Sequence, residues 1–217
     1  SGSVALSKTG HLIQIGDQKW TVILDALLTG HEDWVHSVCW HPPVKVNNKW
    51  HQPLKLLTSS MDRTMMIWSP EEKIGGVWLN SAQMGEFGGL TDLFGQLGYF
   101  GAYFGCGGNL IVANGYNGSF HKWQFENSEW KPKFSISGHF GPVMDASWDP
   151  KQNYFVSVSQ DQTTRLFAPW TAKNNSWHEI GRPQIHGYDM SCLTFLNQRE
   201  HALVSGADEK VLRVFEA

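Results

Sequence analysis

The sequence predicts an all-β protein: an arc of four-stranded antiparallel sheets set side by side as the blades of a β-propeller. Three observations carry this. The 217 residues hold 11 Trp, 22 Gly and 13% aromatic residues, spread over many short apolar runs broken by turn residues. The stretch Gly30 to Trp68 reads strand, loop, strand, tight turn, strand, with His31 at one end and Trp68 at the other. That layout then recurs along the chain.

In order, His11–Ile15 and Trp20–Leu28 are two extended runs joined by the turn-forming Gly16-Asp17-Gln18-Lys19. The second run leads into Gly30-His31 as the outer strand of a blade that precedes the first repeat. In that repeat Val35–Trp40 and Leu54–Leu57 are strands, and the polar loop Pro42–Pro53 between them is a surface excursion. Thr58 stands four residues before Asp62, and Trp68 six after it. This arrangement resembles a WD40 repeat, and the resemblance implies one hydrogen-bonded relay of His31, Thr58, Asp62 and Trp68, tying outer strand to inner turn.

The second repeat is degenerate. An outer strand centres on Val77-Trp78-Leu79, Gly85-Glu86-Phe87-Gly88-Gly89 replaces Gly-His, and Tyr99–Phe104 and Asn109–Ala113 are strands. Asn117-Gly118 takes the place of the Asp turn, with Trp123 six residues on. The third repeat has Gly138-His139, strands Val143–Trp148 and Tyr154–Ser159, then Ser157 and Asp161 at the relay positions; Phe167 replaces Trp, so the relay loses its indole donor. The fourth has His186-Gly187 in inverted order, strands Met190–Leu196 and Ala202–Ser205, and Phe215; either Asp208 or Glu209 fills its turn. The divisions are therefore 1–29, the end of a preceding blade; 30–68, a repeat; 69–125, the degenerate repeat; 126–170, a repeat; and 171–217, a repeat without its own outer strand. Blades packed in sevens turn roughly 51° each, so four span about 206°. An open arc of a seven-bladed, tandem propeller is expected rather than a closed ring.

Composition narrows the function. A net charge of −3 gives no chain-wide attraction to nucleic acid or anionic membrane. Cys39, Cys106 and Cys192 are odd in number and widely spaced, so buried free thiols in a reducing compartment are expected over disulfides. No run of about 18 apolar residues marks a membrane helix, and no charged-then-apolar leader is read. His139, Ser157 and Asp161 have the composition of a hydrolase triad. Ser157 lies in the strand Phe155-Val156-Ser157-Val158-Ser159 with no Gly-x-Ser-x-Gly elbow, and the same spacing recurs at His31, Thr58 and Asp62. A structural relay accounts for both occurrences and a catalytic site for only one. His31, His36 and His41 recur every five residues, a spacing that does not share a strand face, and no Cys-x-x-Cys accompanies them, so no metal site is expected. Lys122, Lys131, Lys133 and Trp130 are interleaved with Glu126 and Glu129 and read as a solvated blade edge rather than an RNA groove. Trp34, Tyr116 and Phe140 fall in or beside turns and are candidate partner contacts.

Several segments are more specific than the repeat: Ile136-Ser137-Gly138-His139-Phe140-Gly141-Pro142-Val143, Asp161-Gln162-Thr163-Thr164-Arg165-Leu166-Phe167-Ala168-Pro169-Trp170, Arg182-Pro183-Gln184-Ile185-His186-Gly187-Tyr188-Asp189, and Val204-Ser205-Gly206-Ala207-Asp208-Glu209-Lys210-Val211-Leu212-Arg213-Val214-Phe215. They resemble the Elongator complex subunit 2 family over nearly the whole chain. The resemblance implies a central segment of a non-catalytic double-propeller scaffold, in a complex that modifies the wobble uridine of tRNAs, in the cytoplasm and also the nucleus. Its implied partners are the other Elongator subunits, with tRNA met at most indirectly and with no cofactor, metal, membrane or small-molecule substrate. The alternative is a generic WD40 adaptor in another assembly, a ubiquitin ligase or a signalling platform.

Overall fold

The computed structural model describes residues 10–85, 98–133, 136–172, 176–183, 186–196 and 201–216. The Glu86–Gly89 stretch read as replacing Gly-His lies outside them. The chain opens with an antiparallel hairpin, β1 (His11–Ile15) and β2 (Gln18–Val22), which forms a sheet of its own. The extended run expected to reach Leu28 stops at Val22, and residues 23–34 form no strand. A lone two-stranded ribbon has no sheet to extend it, and both its strands are exposed along their length. Just past the hairpin, Asp25 Oδ2 accepts from Trp78 Nε1 at 3.3 Å.

Four larger sheets follow. The first is β3 (Val35–Trp40), β6 (Leu56–Ser60), β7 (Thr64–Glu71) and β8 (Val77–Gly85), in that spatial order. The loop between β3 and β6 carries a small hairpin, β4 (Val44–Val46) and β5 (Lys49–His51). Asn47 and Asn48 turn it, with φ of 48° and 63°; two left-handed residues match the strand twist of a two-residue loop, and Asn tolerates them. The second sheet is β9 (Tyr99–Phe104), β10 (Leu110–Gly115), β11 (Ser119–Glu126) and β12 (Glu129–Pro132), with β13 (Ile136–Ser137) also on β11. The third is β14 (Val143–Trp148), β15 (Phe155–Ser159), β16 (Thr164–Trp170) and β17 (Ser176–Gly181). The fourth is β18 (Met190–Phe195), β19 (Ala202–Ala207) and β20 (Leu212–Glu216).

Three apolar layers join the sheets in chain order. Leu57, Met65 and Ile67 of the first meet Ala102, Phe104 and Ile111 of the second. Val112 and Phe120 of the second meet Val143, Phe155 and Phe167 of the third. Val156 and Val158 of the third meet Met190, Leu193 and Phe195 of the fourth. Every innermost strand carries one extra residue near its start, at His36, Phe100, Met144 and Ser191, where the pairing register shifts. Such bulges bend a strand and raise its twist.

Polar contacts cross the same boundaries. The Ala102 amide donates to Ser37 Oγ at 3.0 Å, and Asn114 Nδ2 donates to the Val143 carbonyl at 2.7 Å. Asp145 serves two boundaries, accepting the Tyr103 hydroxyl at 3.1 Å and the Leu193 amide at 2.9 Å. Burial raises the Asp145 carboxyl above its ordinary range, against hydrogen bonds from Leu193, Tyr103 and Ala146. Burial also pushes the Tyr103 phenol up, and the Asp145 charge adds to it.

Of the thiols, Cys39 is half-buried and Cys192 exposed, and both are free. The expectation of burial thus fails at Cys192. It sits on β18, the innermost strand of the fourth sheet, which packs against the third sheet on one side.

Candidate functional site

The first relay assembles from three elements. Asp62 lies in the β6–β7 turn, Thr58 lies on β6, and His31 approaches from the loop before β3. His31 Nδ1 meets Asp62 Oδ2 at 2.8 Å, and its Nε2 meets Thr58 Oγ1 at 2.7 Å. Trp68 Nε1 donates to Thr58 Oγ1 at 2.9 Å. The carboxylate can only accept, so Nδ1 carries the imidazole proton. Thr58 Oγ1 accepts from the indole N–H, and its own hydroxyl faces Nε2 as a donor. Asp62 also accepts the Glu32 amide at 2.9 Å, the Thr64 amide at 2.8 Å and the Thr64 hydroxyl at 2.7 Å. Burial works against its charge, yet the bonds from the Thr64 hydroxyl, the Glu32 amide and His31 outweigh burial and hold the carboxyl below its usual range.

The third sheet repeats this geometry. His139 Nδ1 meets Asp161 Oδ2 at 2.9 Å and Nε2 meets Ser157 Oγ at 2.7 Å. The Phe140 amide donates to Asp161 at 3.1 Å, and the Thr163 hydroxyl does so at 2.6 Å. Phe167 supplies no indole, so the sequence predicts three members. The structure adds two. Arg165, only 3% exposed, sits where the first sheet has Met66; its Nη1 donates to Glu179 Oε2 on β17 at 2.7 Å and its Nε to Thr163 Oγ1 at 3.3 Å. A buried guanidinium requires an acid, and β17 supplies it from across the sheet.

The other two sheets vary the theme. Asn117 Oδ1 accepts the Ser119 hydroxyl at 2.6 Å and the Ser119 amide at 3.3 Å, copying half of the Asp62–Thr64 turn. In the fourth sheet His186 Nδ1 bonds Glu209 Oε1, and Nε2 meets Ser205 Oγ at 2.9 Å. Arg213 Nη2 donates to Glu209 Oε2 at 3.0 Å. Glu209, not Asp208, therefore fills this turn, and the backbone shows why. The residue after the relay acid, or after Asn117 in its place, is left-handed in each turn: Arg63 at φ 68°, Gly118 at 83°, Gln162 at 66° and Lys210 at 65°. Asp208 instead accepts the Ser191 hydroxyl at 3.4 Å.

These constellations do no covalent chemistry on a solute. Ser157 is 0% exposed and lies within β15, so its hydroxyl has no access to a substrate. The three evenly spaced histidines part company: His31 joins the relay, His36 stands at 5.0 Å from the Phe100 ring and His41 at 5.0 Å from Phe104. Among the described residues no group of three or more His, Cys, Asp or Glu could hold a metal ion. Lys133 pairs with Glu126 at 2.8 Å, Lys122 lies over the Trp177 ring, and Trp130 packs against the first apolar layer. Trp34 and Phe140 stand in solvent at 76% and 79% exposure, while Tyr116, at 39%, stacks on Phe100.

Bulged inner strands, left-handed turns and a His–hydroxyl–acid chain, repeated on neighbouring sheets, define a WD-repeat protein of propeller-like architecture. The WD domain, G-beta repeat family matches residues 23–69 and 130–167. More specifically, the chain is similar over nearly its whole length to Elongator complex protein 2 of several species. It is 47% identical over 211 residues to Elongator complex protein 2 of Danio rerio, covering 95% of this chain and 25% of that protein. The Rattus norvegicus protein is 46% identical over 224 residues, covering 100% of this chain and 26% of the relative. The Homo sapiens protein is 47% identical over 205 residues, covering 91% and 24%. The chain thus spans about a quarter of the length of these relatives.

Proposed function

We propose that the chain is a non-catalytic scaffold segment of the Elongator complex, supporting tRNA wobble-uridine modification through protein–protein contacts in the cytoplasm and nucleus. The observation that carries this is the identity, 46–47% to each of three relatives named as Elongator complex proteins, over 91% or more of this chain. The relay residues His31, Thr58, Asp62, Trp68, His139, Ser157 and Asp161 act in folding rather than in turnover. Their burial supports that role, as does the use of every polar atom of the imidazoles inside the fold.

The same reading makes the sheets consecutive blades of an open arc, divided at 30–68, 69–125, 126–170 and 171–217. It is supported by the way each repeat lends its opening strand to the sheet before it: β8 pairs with β7, β12 with β11 and β17 with β16. It is further supported by β20, which pairs with β19, and by the β1–β2 hairpin, which stands in a separate sheet. Affinity purification of the full-length protein from cells tests the function. Recovery of the other Elongator subunits is expected, and their absence in favour of ubiquitin-ligase or signalling components would establish the generic adaptor instead. Nucleoside analysis of tRNA from cells lacking the segment should show reduced wobble-uridine modification.

A further inference from the structure

One end of the described chain presents apolar surface that nothing inside the fold uses. In each large sheet an amide at the inner turn donates to a carbonyl at the start of the innermost strand: Met61 to Trp34 at 2.9 Å, Tyr116 to Gly98 at 3.3 Å, Gln160 to Pro142 at 3.1 Å and Asp208 to Asp189 at 3.1 Å. These bonds gather turns and approach loops at the same end of every sheet. Each sheet exposes one aromatic side chain there: Trp34 at 76%, Tyr116 at 39%, Phe140 at 79% and Tyr188 at 55%. A single exposed aromatic is ordinary, but one per successive sheet at a common end forms a crescent. Part of it is already ordered. Phe100 stacks on Tyr116 at 5.4 Å and meets His36 at 5.0 Å, and His36 lies 6.5 Å from Trp34.

Charge selects the occupant. Glu32 and Asp33 precede Trp34 in the same loop, Asp189 follows Tyr188, and Asp208 lies in the adjoining turn. Among the described residues, the lysine and arginine at this end are Lys210 and Arg63, in the fourth and first turns. The relay takes only the backbone amide of Glu32, which leaves its carboxylate to solvent. Asp33 caps the Trp34 amide at 2.8 Å, which fixes acid and indole side by side.

We propose that this crescent docks an extended, Lys/Arg-rich segment of a protein partner. The inference rests on the scaffold reading and gives that scaffold a surface and a partner chemistry. Guanidinium and ammonium groups bind over Trp and Tyr faces through the ring quadrupole, and neighbouring carboxylates add Coulomb attraction. Exposed Trp and Tyr are the side chains that most often anchor interfaces. A nucleic acid would set its phosphates against the same carboxylates, so RNA is disfavoured at this end.

The test uses the full-length protein and fluorescence anisotropy. The probes are a short labelled peptide alternating Arg and Gly, its counterpart with Glu in place of Arg, and a labelled oligouridylate. The Arg peptide should bind at least about tenfold more tightly than either of the others and weaken as salt rises. The combined Trp34→Ala, Phe140→Ala and Tyr188→Ala variant should lose about tenfold or more. Its melting temperature should stay unchanged, because the removed side chains face solvent. Glu32→Lys with Asp208→Lys should weaken binding as well. Equal binding of the two peptides, wild-type binding by the aromatic variant, or tighter binding of the oligouridylate overturns the proposal. Purification of wild type from cells separates the two readings: recovery of Elongator subunits by wild type, with peptide binding absent, removes the crescent and leaves the scaffold.

Discussion

His139 and Asp161 are a buried acid–base pair whose two members respond to acid in different pH ranges. Burial lowers the His139 imidazole below its ordinary value, against the pull of Asp161. The unfolded chain therefore takes up a proton that the native imidazole refuses, and stability is complete above about pH 6.5 and declines as pH falls toward the folded value. Burial opposes ionisation of Asp161 too, but bonds from the Thr163 hydroxyl and His139 prevail and hold its carboxyl low. Its contribution is complete above about pH 4 and is lost only as pH falls through the lowered value. Thermal melts should thus drop between pH 7.5 and 5.5, and His139→Gln should flatten that slope. His121, also lowered by burial, accounts for part of the remainder. A slope unchanged by the substitution would contradict a neutral buried imidazole. Asp62→Ala and Asp161→Ala should each cost about 2–4 kcal/mol in chemical denaturation, because each strands an imidazole and turn amides. Counted by the indole alone, Asp62 is the costlier site, since its relay keeps that donor. The Arg165–Glu179 pair removes that ranking, and Asp161 is the more deeply buried, its side chain 0% exposed against 4% for Asp62. Unchanged midpoints in both variants would end the structural role of the relay.

Each sheet depends on its neighbours, because its apolar residues are buried between sheets and not within one. Phe120 of β11 lies 5.1 Å from Phe155 and 5.3 Å from Phe167, both edge-on, across the boundary between the second and third sheets. Phe120→Ala should cost about 3–5 kcal/mol, since rigid neighbours on both sheets cannot collapse into the space. Phe125, on the same strand but 42% exposed, should cost well under that when truncated. Equal costs would mean that the boundary is loosely packed. On the proposed division into repeats, β17 opens the repeat after β16, and its pairing with β16 brings Glu179 to Arg165.

Across the whole molecule, the sheets at either end of the row carry exposed apolar strands. Val38 and Trp40 of β3 are 64% and 54% exposed, and Leu212 and Val214 of β20 are 73% and 57% exposed. An open arc exposes such faces and edges to pairing with other chains. The isolated 217-residue chain should therefore self-associate with rising concentration in sedimentation velocity, and Val38→Lys with Leu212→Lys should reduce it. A monomer at every concentration would count against the open arc.

What the sequence by itself determined is the local, periodic part. The spacing of His31, Thr58, Asp62 and Trp68 reflects strand length and turn length, which are properties of one stretch of chain, and it is on that spacing that the resemblance to a WD40 repeat implies their relay. The Asn117-Gly118 turn was legible for the same reason. Asp208 and Glu209 were not separable, because either acid suits a turn; the left-handed backbone at Lys210 decided between them. Arg165–Glu179 and Tyr103–Asp145–Leu193 were decided only by the tertiary structure. The first depends on a register shift between β16 and β17, and the second on three sheets meeting at one carboxylate. Neither register nor inter-sheet packing has a short-range signature, because both are set by how apolar faces from distant parts of the chain come together.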